Sequence, residues 1–227
     1  NVTVSVVKTS INVTVVDVTA KVDELKNVTA YIITEDGINV TEGTATLTIG
    51  TNTFTVNVIN GVVVFTNVSM PESGNFTTQV TYNGIPAKYP SSTGYGYFNV
   101  TENATSVTVT NITTSIVGEQ LTIKVNVDDV NKNGSQINIT IKDNTGSVVK
   151  SEIVNVTADG QASISFVPTK EGNYTIFADY LGLDKVYNPS NGTGYVNVTR
   201  SPTEITVENI TTQVDEISSF NVTVKDA

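Results

Sequence analysis

Residues 172–199 read GNYTIFADYLGLDKVYNPSNGTGYVNVT, and residues 74–101 read GNFTTQVTYNGIPAKYPSSTGYGYFNVT. Both begin Gly-Asn-aromatic-Thr, reach a Tyr, place another Tyr just before a Pro-Ser turn, and end Gly-Tyr-x-Asn-Val-Thr. The copies are 98 residues apart from Gly74 to Gly172, and again 98 from Asn99 to Asn197. That is the length of one immunoglobulin-sized sandwich and far longer than a solenoid coil. The chain is therefore read as an array.

Working outward, the openings of the repeats also match. Val22, Val117 and Val214 are equivalent, spaced by 95 and 97 residues, and each is followed by Asp-Glu or Gly-Glu. One inserted residue near Ser115 and a longer first linker, Val4 to Ser10, reconcile these spacings with that of the closing motif. Asn1-Val2-Thr3 repeats Asn99-Val100-Thr101, so the expected organisation starts with the end of a preceding repeat and linker over residues 1–9. Repeat 1 follows over 10–104, repeat 2 over 105–202, and the first strands of a third repeat over 203–227. Two strands cannot close a sandwich, so this last piece either opens a further repeat or pairs with a neighbouring chain as a strand donor. The linkers, Glu102–Thr105 and Arg200–Thr203 with Pro202, are short and lack Gly, which predicts stiff joints.

Inside each repeat the apolar period is two. Leu121, Ile123, Val125 and Val127 share one strand face, and Ile137, Ile139 and Ile141 another, with Thr, Lys and Asn between them. Repeat 1 matches with Val28, Ala30 and Ile32, then Ala45, Leu47 and Ile49. Further strands are expected near 147–154, 162–167, 174–180 and 194–198, separated by Asn-Gly, Asp-Gly and Pro punctuation. The predicted fold is all-β: tandem Ig-like seven-stranded β-sandwiches with Greek-key connections. With no Cys in the chain, these sandwiches hold together without an inter-sheet disulfide, and cysteine usage says nothing of the redox compartment.

The net charge is −10, from 22 acidic and 12 basic residues, which argues against nucleic acid as a partner. His and Trp are absent, removing the commonest general base and the commonest sugar-stacking ring. No cluster with nucleophile-and-base chemistry recurs in both repeats, so no catalytic, cofactor-binding or metal-ligating residue is assigned and no enzyme is expected. One covalent alternative is an internal Lys–Asn cross-link of the kind some adhesin sandwiches make, although lysines are sparse. No apolar run approaches the roughly 18–20 residues that cross a bilayer, so no membrane segment is expected within these residues, and any leader or anchor would lie outside them.

Candidate modification sites are numerous. The acceptor pattern Asn-x-Ser/Thr occurs at Asn1, Asn12, Asn27, Asn39, Asn67, Asn75, Asn99, Asn103, Asn111, Asn133, Asn138, Asn155, Asn173, Asn191, Asn197, Asn209 and Asn221. Random placement of the 54 Ser and Thr among 227 positions would give about six such sites, and a strand face half Ser and Thr about 11 or 12. The 17 observed exceed both, and N-linked glycans are the expected covalent additions. Asp129-x-Asn131-x-Asn133-Gly134 looks like half of a calcium loop, but Thr140 stands where a bidentate acid is needed, and a plain Asx-rich turn is the better reading. The tyrosines around the last hairpin are Tyr82, Tyr89, Tyr95 and Tyr97, then Tyr174, Tyr180, Tyr187 and Tyr195. They form either a ligand patch or core caps, with Tyr174 at the place of a corner tyrosine and Phe76 at that place in repeat 1.

The closing motif at 172–199, with its copy at 74–101, resembles the end of the Ig-like repeats of archaeal, methanogen-type adhesin-like surface proteins. The openings NITTSIVGE at Asn111–Glu119 and NITTQVDE at Asn209–Glu216 are similar to the start of those repeats. The departures, Phe76 for Tyr and a Tyr89-Pro90-Ser91 turn without the Asn of Tyr187-Asn188-Pro189-Ser190, leave the fold intact. The resemblance implies an extracellular, cell-surface, glycosylated stalk or fibre segment that mediates or extends attachment. Its implied partners are neighbouring copies of the same repeat or chain. The alternative is a module that itself binds carbohydrate, such as cell-surface glycans, or a protein partner.

Overall fold

The computed structural model describes residues 9–131 and 133–226, all β or connecting turn, with no helix among them. Asn1 and most of the expected 1–9 segment lie outside the described residues. The chain divides into two compact units, Asn1–Ala104 with Leu183–Asn188, and Thr105–Gly182 with Pro189–Ala227.

Unit 1 contains β1 (Ile11–Val15), β2 (Val18–Lys21), β3 (Lys26–Thr34), β4 (Thr44–Ile49), β5 (Asn52–Asn57), β6 (Val62–Val68), β7 (Gly74–Tyr82) and β8 (Ser92–Thr101). One sheet has the order β1-β3-β6 and the other β2-β8-β7-β4-β5. Between them, the inward residues of every second position, among them Ile32, Leu47, Ile49, Phe65, Val80 and Phe98, are wholly buried. Each such side chain contributes about 1.5–3 kcal/mol by leaving water. The chain passes from one sheet to the other between β3 and β4, between β5 and β6, and between β6 and β7, which is the Greek-key pattern of a sandwich.

The expected seven strands are present, with the first divided in two. β1 pairs antiparallel with β3, from Ile11↔Thr34 to Val15↔Ala30. After Val16 and Asp17 the chain changes sheet, and β2 runs parallel to β8, from Val18↔Phe98 to Lys21↔Thr101. The closing strand allows this crossing because Gly94 and Gly96 occupy its inward positions. A Cβ on Gly94 would sit 2.2 Å from the Val13 carbonyl oxygen, so only a bare backbone lets β1 lie so close.

Unit 1 also includes Leu183–Asn188. There the Asn103 N–H donates to the Val186 carbonyl at 2.9 Å, and the Asn188 N–H donates to the Asn103 carbonyl at 3.0 Å. The Ser73 N–H reaches the Lys185 carbonyl at 2.7 Å, and Val186 packs against the apolar core of the unit.

Unit 2 repeats the plan with β9 (Ser106–Val109), β10 (Ile112–Ile116), β11 (Leu121–Asp128), β12 (Gln136–Lys142), β13 (Val148–Asn155), β14 (Gln161–Phe166), β15 (Gly172–Tyr180) and β16 (Ser190–Thr199). Its sheets are β14-β11-β9 and β10-β16-β15-β12-β13, with β10 parallel to β16. The inserted residue inferred near Ser115 is visible as a register break between Ile112 and Ser115. Gly192 and Gly194 take the places of Gly94 and Gly96, their would-be Cβ atoms falling 2.4 Å from the Val107 oxygen and 2.6 Å from Val109 Cγ1. Finally, β17 (Thr203–Val207) and β18 (Val222–Asp226) form a two-stranded antiparallel sheet, with Ile205, Val207, Val222 and Val224 exposed.

Candidate functional site

The eight tyrosines do not form one patch. Tyr82, Tyr174, Tyr180 and Tyr187 are buried. The Tyr82 hydroxyl donates to the Glu42 carbonyl at 3.1 Å, and burial pushes its pKa above the ordinary 10.0. Tyr174 donates to the Lys170 carbonyl at 2.8 Å, four residues back, and meets the Phe166 ring edge-on at 5.3 Å, which is the work of a corner tyrosine. Phe76, at the same place in unit 1, is half-buried without a hydroxyl. Tyr89 is half-buried, its ring 6.5 Å from that of Tyr82. Tyr95, Tyr97 and Tyr195 face outward from β8 and β16.

Most of the described acceptor asparagines are on the outside, some through strand alternation and others, such as Asn39, Asn133 and Asn209, in turns and connections. Asn12, Asn27, Asn39, Asn67, Asn75, Asn111, Asn133, Asn155, Asn173, Asn191, Asn209 and Asn221 are exposed, while Asn99, Asn103, Asn138 and Asn197 are half-buried. Asn1 lies outside the described residues. The Nδ2 atom, where a glycan would attach, is engaged at Asn103 with the Val22 carbonyl (3.3 Å) and at Asn39 with Asn60 Oδ1 (3.4 Å). Asn75 stands directly opposite Asn99, and Asn173 opposite Asn197, so in each unit two acceptors share one cross-strand pair.

The acids of unit 2 are largely held by the protein itself. The Asp143 carboxylate accepts from Thr145 Oγ1 at 2.6 Å and from the N–H groups of Thr145 (2.9 Å) and Ser147 (3.0 Å), which keeps its pKa below the ordinary value. Glu171 is lowered by its bidentate pairing with Arg200, whose Nε lies 2.7 Å from Oε2. Among the described residues no three His, Cys, Asp or Glu side chains are grouped to hold a metal. Asp129 stands at φ 65° in its turn, and Lys132 of that turn is outside the described residues. No described lysine is buried, so none lies in a core where a Lys–Asn bond would be sheltered. Surface depressions of about 450 Å³ beside Tyr180 and Pro189 and about 400 Å³ beside Lys124 and Gln161 are wide open, and only the second is lined mainly by polar atoms.

Two residues have a recurring structural role that the sequence alone did not assign to them. Asp17 Oδ1 accepts the Tyr97 N–H at 2.8 Å, and Asn111 Oδ1 accepts the Tyr195 N–H at 3.0 Å. Each gives a closing-strand N–H an acceptor at the place where the first strand leaves one sheet for the other. The available signal was an Asx residue at matching positions in both openings, just before Val18 and Ile112.

No protein-family model matches the chain, and no curated protein matches it by sequence. Solved structures are similar to it in fold. Over 84% of its length it aligns with 50% of the crystal structure of a tetra-tandem repeat in the extending region of a large adhesion protein, at 22% identity and a TM-score of 0.49. Over 83% it aligns with 59% of the Yersinia pseudotuberculosis adhesin InvE, at 15% identity and 0.38. Over 76% it aligns with 97% of a two-domain fibronectin type-III segment from chicken tenascin, at 12% identity and 0.38. The chain spans between half and three-fifths of the length of the first two.

Proposed function

We propose that the chain is a non-enzymatic, load-bearing stalk or fibre segment of an extracellular adhesin-like surface protein. The observation that carries this reading is the pairing of the first and last strands of each sandwich in parallel. In unit 1, β2 runs beside β8, and the ladder extends to the Val22 N–H on the Thr101 carbonyl at 3.0 Å. In unit 2, β10 runs beside β16, extended by the Val117 N–H on the Thr199 carbonyl at 3.0 Å. Parallel terminal strands put the entry and exit of the chain at opposite ends of the pair. Tension between them then shears several hydrogen bonds together and does not peel them one at a time.

What recurs between the units also supports a spacer. The crossing glycines, the Asx caps, the parallel pair and the closing turn are shared, whereas outward residues differ, as with Tyr95 against Thr193. The closing motif's resemblance to archaeal adhesin-like repeats agrees with this reading. N-linked glycans on exposed acceptors away from the β7–β8 face, such as Asn12, Asn27 and Asn155, would shield the segment, and neighbouring repeats or copies of the chain would be its partners. Intact mass of material from the native source tests the glycans, and the bare polypeptide mass would remove them.

Single-molecule stretching of the whole chain tests the mechanical role. Each unit of roughly 95 residues should release about 30 nm of contour in one step. Val22→Pro, which deletes the N–H donor to Thr101, should lower the force of one step and leave the other. Stepless extension at low force, or an unchanged force pair in Val22→Pro, would overturn the proposal.

A further inference from the structure

The outer face of the five-stranded sheet of unit 1 carries no charge over four adjacent strands. β8, β7, β4 and β5 contain no Asp, Glu, Lys or Arg, in a chain where 15% of residues are charged. The equivalent strands of unit 2 carry Lys142, Lys150, Glu152 and Asp179. Strand alternation alone therefore does not produce the neutral face.

On that face hydroxyls run in register. Thr55, Thr46, Thr81 and Thr93 form one row across the four strands, with Thr46–Thr55 and Thr81–Thr93 hydroxyl contacts both at 3.0 Å. Beside the row stand Tyr95, 65% exposed, and Tyr97, 50% exposed, on the same side of β8. Two residues apart on a strand, their Cα atoms are about 6.6–6.8 Å apart along one line. Gln79 lies opposite Tyr95, and Thr77 opposite Tyr97. Asp17, whose carboxylate is spent on the Tyr97 N–H, stands at the margin, and Lys21 lies on the neighbouring β2. In unit 2 the pair is broken, because Thr193 replaces Tyr95 and only Tyr195 remains.

We infer that this face of unit 1 is a docking platform for an extended, neutral polysaccharide. Two exposed rings in line offer apolar surface to the C–H faces of successive sugars, and the flat hydroxyl and amide rows supply hydrogen bonds without fixed charge. An uncharged strip in a chain of net charge −10 suits a neutral polymer, and the surrounding acids repel an anionic one. This platform does not rest on the load-bearing role. A stalk without it would still bear force.

The test is affinity electrophoresis of unglycosylated recombinant chain in gels holding hydroxyethylcellulose or glucomannan, with polygalacturonate as the anionic control. The unaltered chain should be retarded by at least one neutral polymer and not by polygalacturonate. Tyr95→Ala with Tyr97→Ala should raise Kd by about tenfold or more with an unchanged thermal melt, while Tyr195→Ala leaves retardation intact. No retardation by either neutral polymer, retention of binding in the double variant, or equal binding to polygalacturonate overturns the inference. Concentration-dependent self-association that accounts for the retardation and vanishes in the double variant also overturns it.

Discussion

Replacing Gly94 by Ala isolates the contact on which the first strand's change of sheet depends. The φ of Gly94 lies outside the left-handed region, so the backbone itself accepts an L side chain, and the whole cost is steric. The added methyl would stand 2.2 Å from the Val13 carbonyl oxygen, 2.8 Å from its carbon and 3.0 Å from Val13 Cβ. Reaching ordinary contact, about 3.4 Å or more, requires β1 to lift by roughly 1 Å. Yet β1 is pinned on its other side by the ladder to β3 and by the burial of Ile11 and Val15. Overpacking against backbone that cannot yield costs about 3 kcal/mol, the upper part of the range for added methylenes. For a unit of about 95 residues this lowers Tm by roughly 12–24 °C. Differential scanning calorimetry of the whole chain reads it, with Gly192→Ala doing the same to unit 2 through the Val107 oxygen at 2.4 Å. Gly118→Ala is the control: its φ is +86°, nothing lies within 4 Å of the new methyl, and only about 1 kcal/mol of backbone strain is expected. A Gly94→Ala loss no larger than that of Gly118→Ala would refute the close crossing of β1 over β8.

Three further outcomes are expected. Asp17→Ala leaves the Tyr97 N–H without its 2.8 Å acceptor and should cost about 1 kcal/mol, read as a lower urea midpoint with unchanged slope; an unaltered midpoint would show that the cap contributes nothing. Thr78 is wholly buried and its hydroxyl has no partner, so Thr78→Val should raise stability by about 1 kcal/mol, and a lower Tm would count against an orphaned hydroxyl. Glu24 is lowered first by Lys26 and then by the Lys21 N–H, Glu171 by Arg200, and Asp143 by Thr145. Carboxylates whose pKa falls on folding stabilise above their unfolded values, near 4.5 for Glu and 3.8 for Asp, and lose that contribution as pH drops through the folded ones. The urea midpoint should therefore fall between pH 5 and pH 3, and a midpoint that holds or rises over that range would contradict these pairings.

The fold is largely legible in the sequence, for a reason that particular residues show. Alternation at Leu121, Ile123, Val125 and Val127 is a local property with a period of two, and it leaves no choice about which side is buried. The internal copy removed the remaining ambiguity, because one strand-and-turn grammar appears twice at a fixed distance. The candidate surface was less readable. Tyr82 and Tyr97 are both Tyr near the last hairpin, yet one is wholly buried and the other half exposed, since their positions on β7 and β8 point to opposite sides of the same sheet.

The amino-acid order is enough for the class of fold, the repeat and the outward placement of strand acceptors such as Asn12, Asn75 and Asn173, all of which follow from side-chain period and spacing. The folded chain alone sets the break of the first strand at Asp17 and Asn111, the close approach that the alternate glycines of the closing strand admit, and the meeting of the uncharged hairpins β4–β5 and β7–β8 side by side. The first two rest on contacts between residues some 80 positions apart and the third on pairs such as Thr46↔Thr81, and no local pattern encodes which backbones will meet.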